Sequence, residues 1–147
     1  MRLIGFNFKK ISIEKNKEPT NELNINTDIQ IKDIQSRIND LFKDQDILNI
    51  DYELKIKYMP DFAELFFSGN IALLMEKSEN DLFKKILKSW KEKKVEDELR
   101  IPLLNIIFNK CNLTAMELEE TLNIPFHIPT PKFVDKPKIG KSKDSLN

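Results

Sequence analysis

The sequence is poor in the residues from which most catalytic centres are built. Among 147 residues there are one Cys, one His and three Gly. One thiol and one imidazole cannot form a Cys/His zinc site alone. Gly5, Gly69 and Gly140 are too scattered for a phosphate-cradling loop of the G-x-G-x-x-G or G-x-x-x-x-G-K type. Cys111 has no partner for an intramolecular disulfide and lies in an apolar helical stretch, so it reads as a buried thiol in a reducing, cytoplasmic setting. Long apolar runs are missing too. The longest, Ile71 to Met75, cannot span a bilayer, and the apolar start Met1 to Phe8 is too short for a signal core and lacks a small-residue cleavage site. A soluble chain without membrane insertion is expected. Charge of one sign is absent as well: 24 Lys and Arg balance 24 Asp and Glu, leaving no global field to name nucleic acid or an anionic membrane as partner. No cofactor, no metal and no enzymatic activity are expected.

What is present is enough for one core. Forty per cent of the residues are apolar and ten are Phe, which supply bulky packing groups. Residues 1–133 read as a single α+β domain, with strands over about 3–76, helices over about 79–122 and a Pro-rich extended segment at 124–133. Residues 134–147 are polar and read as a disordered Lys-rich tail.

The first half of the chain alternates in twos. Ile4, Phe6 and Phe8 give way to Ile11 and Ile13 with a change of parity, as one extra residue at Lys9-Lys10 would cause. Leu23 to Ile31 and Leu48 to Tyr58 alternate apolar with polar, the pattern of half-buried antiparallel strands. Met59-Pro60-Asp61 is a turn signal, after which Ala63 to Met75 continues the pattern, predicting a hairpin between the third and fourth strands. Between strands two and three, Ile34, Ile38, Leu41 and Phe42 have the spacing of a short helix.

The second half has helical periodicity. Ser78 stands as an N-cap for a helix with Leu82, Phe83, Ile86, Leu87 and Trp90 on one side and Lys84, Lys85, Lys88 and Lys91 on the other. The charged run Lys91 to Glu98 ends it. A second helix is expected to open near Pro102, where a missing amide is harmless, and Thr114 to Glu117 fits a capping box for a short third helix. Leu103, Leu104, Ile107 and Phe108 wrap so much of the second helix that an interface between copies of the chain is expected there. After Asn123, the prolines of Ile124 to Pro131 enforce extended backbone.

Few constellations carry chemistry. His127 lies among prolines with no Ser or Cys motif beside it, so packing or a surface hydrogen bond is the simpler reading. Asp44-Gln45-Asp46 begins like a calcium loop, but Leu48, Asn49 and Lys55 occupy the positions of a ligand, the turn Gly and the bidentate Glu. Glu117, Glu119 and Glu120 read as a solvated helix face, and Asn112-Leu113-Thr114 as helix punctuation rather than a glycosylation acceptor. Two functional candidates remain. One is the apolar strip Ile124, Phe126, Ile128 and Phe133, which either packs down or lines a groove. The other is the tail lysines Lys136, Lys138, Lys141 and Lys143, which offer salt-dependent contacts to phosphate.

Four antiparallel strand patterns, an apolar helix at Arg100-Ile101-Pro102 and the connection from Ile124 through Pro125, Phe126, His127, Ile128, Pro129, Thr130, Pro131 and Lys132 to Phe133 resemble the SecB family of export chaperones. The opening Asn7-Phe8-Lys9-Lys10-Ile11-Ser12-Ile13-Glu14 resembles that family's first strand. The resemblance implies a β-sheet backed by helices, assembly into dimers or dimers of dimers, and the holding of unfolded polypeptides in apolar grooves. By position it implies that Ile124, Phe126, Ile128 and Phe133 line such a groove. The chain departs from the family in being neutral rather than acidic, in the extra helix near Thr114 and in having no closing C-terminal helix. These departures suit a more open groove or one dedicated partner. The expected function is therefore a SecB-like holding chaperone or protein–protein adaptor. The alternative is a ribosome- or RNA-associated dimeric factor using the Lys-rich tail.

Overall fold

In the computed structural model, residues 1–16, 22–37, 45–129, 131 and 135 are described. Four long strands come first: β1 (Arg2–Lys15), β2 (Asn24–Arg37), β3 (Asp46–Met59) and β4 (Ala63–Met75). A single 3-10 turn (Lys77–Glu79) leads into α1 (Asn80–Lys91), and α2 (Asp97–Thr121) follows. The strands form one antiparallel sheet in the order β1-β4-β3-β2. Three consecutive strands thus make a meander and β1 returns beside the last of them, a Greek-key order that leaves β1 and β2 as the two edges.

Cross-strand register explains the alternation. Tyr52 lies opposite Gly69 and Ile31, Leu54 opposite Phe67 and Ile29, and Ile56 opposite Leu65 and Thr27. β1 adds Phe8, Ile11 and Ile13 to the same rows through their pairing with Gly69, Phe67 and Leu65. One face of the sheet is therefore apolar and faces the helices, while the other carries Asn7 bonded to Asn70 (3.2 Å) and Lys10 over the Phe66 ring. The parity change in β1 is a bulge: Phe8 pairs with Gly69 and Lys10 with Ser68, leaving Lys9 unpaired. Gly69 is obligatory at its position, because a Cβ there would lie 1.8 Å from the Asn7 carbonyl oxygen and 2.8 Å from the Tyr52 hydroxyl.

The helical spacing around Ile34 is another bulge: Ile31 pairs with Tyr52 and Asp33 with Asp51, so Lys32 is the extra residue. It returns Ile34 to the buried face opposite Ile50. Two apolar residues three apart can thus mark a bulged strand. Ile38, Leu41 and Phe42 lie outside the described residues, as does Asp44 of the calcium-loop-like start. Ser78 does not cap α1. Glu76 and Glu79 form a reciprocal capping box around the 3-10 turn instead.

The second and third predicted helices are one. α2 begins five residues before Pro102, with Leu99 and Arg100 amides donating to the Glu96 carbonyl. It continues through Thr114, because Leu99, Leu103, Ile107, Cys111, Ala115 and Glu119 form an unbroken buried row along it. Packing against the sheet overrides the local cap signal at Thr114. A row with period four advances about 40° around a helix at each step, so it spirals around α2. That spiral is why the helix looked apolar on most of its circumference. The helix ends in a Schellman motif: Asn123 takes φ 56°, and the amides of Asn123 and Ile124 donate to the carbonyls of Glu120 and Glu119.

Candidate binding trough

Two walls define the site. One is edge strand β2, whose inward side chains include Ile29 and Ile31; the other is the α1–α2 elbow with the face of α2 next to the buried row. Ile29, Ile31, Trp90, Val95 and Leu104 line an open hollow of about 480 Å³ there, together with Gln30, Lys32, Lys93 and Arg100. Trp90 is held by its indole N–H, which donates to Asp33 (3.1 Å), and by Lys93, whose ammonium lies 4.7 Å from the ring centroid. Farther along the two walls, Thr27, Leu54 and Ile56 meet Phe108, Cys111, Asn112 and Ala115, and His127 closes this end. Ile29, Ile31, Trp90, Leu104 and Phe108 are all half-buried, whereas Ile25 at the end of the β2 row is 37% exposed. Among the described residues, β2 has a hydrogen-bonded neighbour on one side only, β3.

Residues 124–129 form a strap across the far end. Ile124 enters the core, the Tyr58 hydroxyl donates to the Pro125 carbonyl, and the His127 amide donates to Glu119 Oε1 (3.2 Å). His127 Nδ1 lies 2.8 Å from Glu119 Oε2, and both side chains are all but completely buried. The His127 ring also meets Phe108 edge-on. The imidazole is therefore the anchor of the strap. Glu117 and Glu120 are exposed as a solvated face requires, but Glu119 corrects that reading: it lies on the buried row, where an acid needs a partner. Burial, and then the nearby Glu119, push the Tyr58 phenol far above its ordinary range. Burial pushes the Cys111 thiol up to about 12. The Asn112 Oδ1 atom is buried with no hydrogen-bond partner among the described residues.

The strip residues separate. Ile124 is a core residue, Phe126 and Ile128 are half-buried on the strap, and Phe133 lies outside the described residues. Of the four α2 residues expected at an interface between copies, Leu103 and Ile107 are fully covered by their own chain, and Leu104 and Phe108 flank the trough. Lys136, Lys138, Lys141 and Lys143 lie outside the described residues. Ile29, Ile31, Trp90 and Val95 were not singled out from the sequence as site residues. The one available signal was Val95, a large apolar residue inside the charged run Lys91 to Glu98.

No family model matches the chain, and no curated protein matches it. Among solved structures, it is similar to a Mycobacterium tuberculosis SecB-like chaperone in complex with a ChAD peptide from an antitoxin. The TM-score is 0.50 at 14% identity, over 92% of this chain and 91% of that one. The four-stranded antiparallel sheet with two helices is thus a SecB-like α+β fold. No helix among the described residues is long and apolar enough to cross a membrane.

Proposed function

We propose that this chain is a non-enzymatic polypeptide-binding protein, a SecB-like holding chaperone or an adaptor for one dedicated protein, that receives extended apolar segments in the trough between β2 and α2. One observation carries the reading: the edge of β2, unpaired among the described residues, runs beside half-buried Ile29, Ile31, Trp90 and Leu104. An extended segment laid there can pair its backbone with β2 and place alternate side chains against the apolar wall. Each large apolar side chain buried in this way contributes about 1.5–3 kcal/mol before ordering costs. No bond is made or broken. The strap carrying Phe126 and Ile128 bounds the same trough, so packing down and lining a groove are compatible roles for it. Assembly into a dimer or tetramer belongs to the same reading. Its support is exposed Ile101 and Leu113 on α2 and exposed Ile4, Phe8 and Ile11 on the other edge strand.

The test is titration of a reduced, unfolded model polypeptide, beside a structured RNA, at two salt concentrations. Micromolar polypeptide binding that survives raised salt and weakens at least about tenfold in Leu104→Asp is expected, a loss of about 1.4 kcal/mol. Salt-sensitive RNA binding without polypeptide binding would overturn the reading and move the function to the Lys-rich tail.

A further inference from the structure

The margin of the trough is charged in one sense. Lys32, Lys93 and Arg100 line it and, among the described residues, no acidic residue does, although the chain as a whole is neutral. Among the described residues, none of the three is held in a buried ion pair. Lys32 has, among the described residues, a long contact to Gln30 (3.5 Å), and Lys93 lies over the Trp90 ring rather than against a carboxylate. Arg100 directs two N–H groups to one oxygen of Asp97, a largely exposed pair on the helix surface whose attraction solvent weakens. The nearest acid on β2, Asp33, is occupied by the Trp90 indole, the Ile34 amide and the Gln35 side chain.

We infer that the trough selects extended peptide segments in which an aliphatic or aromatic core is flanked by Asp or Glu, and discriminates against segments flanked by Lys or Arg. This rests on the proposed polypeptide-binding function and names its ligand class. The apolar core of the segment fills the space between Ile31, Trp90 and Leu104, and its flanking carboxylates reach Lys93 and Arg100 at the elbow and Lys32 on the strand. A basic flank meets three like charges, and that repulsion supplies the discrimination.

The experiment compares two synthetic peptides with the same apolar core, one flanked by Glu and one by Lys, binding to the full chain and followed by Trp90 fluorescence. The acidic peptide is expected to bind about three- to tenfold more tightly at low ionic strength, with the gap closing as salt rises. The double variant Lys93→Glu with Arg100→Glu, whose exposed side chains leave the core untouched, is expected to invert the preference. Equal binding of the two peptides, or tighter binding of the basic one by the native chain, would overturn this inference and leave the binding function standing. Binding of neither would overturn both.

Discussion

The Glu119–His127 contact is the clearest case of a single pair holding a segment in place. Both groups are buried, so removing one leaves the other without its partner. Glu119→Leu is expected to destabilise the fold by about 3–5 kcal/mol, and combining it with His127→Leu to cost less than the sum of the two single changes. Urea unfolding of the four-member cycle reads this directly; additive losses would show that the two side chains act separately. Gly69 is the second sensitive residue. Gly69→Ala places a methyl against the Asn7 backbone, and loss of amide protection along β1 is expected in hydrogen exchange, since strand pairing there has to open to admit it. The importance of Gly69 was invisible in sequence, because only the register reveals that β1 backbone passes directly over it. Cys111, by contrast, was legible as a buried thiol from its apolar helical neighbours alone.

At the scale of elements, the strands were readable because alternation reports the apolar face directly, and the β1 bulge was readable because it shifts that alternation by one. The β2 bulge was misread for the same reason: a shift of parity next to polar residues imitates a helical spacing. α2 was read as two helices because Pro102 and Thr114 carry start signals that packing overrides. Pro102 sits inside the helix, where its nitrogen cannot donate to the Glu98 carbonyl. Asn112 offers a stability prediction on the same element. Its orphaned buried oxygen costs desolvation without return, so Asn112→Leu is expected to stabilise the protein by about 1 kcal/mol. A denaturation midpoint that falls instead would show that the side chain has a partner in solution.

At the scale of the whole molecule, three buried acids of high pKa set the response to alkali. Cys111 is shifted from 9.0 to about 12, and Tyr52 and Tyr58 are also raised, each chiefly by burial. All three are neutral when protonated, so above pH 9 the unfolded chain loses protons that the folded chain retains. Stability is therefore full below about pH 9 and falls as pH rises toward 12. Urea midpoints between pH 8 and 11 measure the decline, which is expected to be shallower in Cys111→Ala. The trough itself was only partly legible in sequence. Leu104 and Phe108 were marked as surplus apolar groups, but what lies opposite them depends on how β2 and the α1–α2 elbow meet in space. The proposed function is tested most directly by locating a bound unfolded polypeptide on the folded chain, using the single Trp90 indole resonance and the amide exchange of β2. At saturation the indole signal is expected to shift and β2 amides to gain protection. A saturating polypeptide that leaves both unchanged would contradict the proposed function.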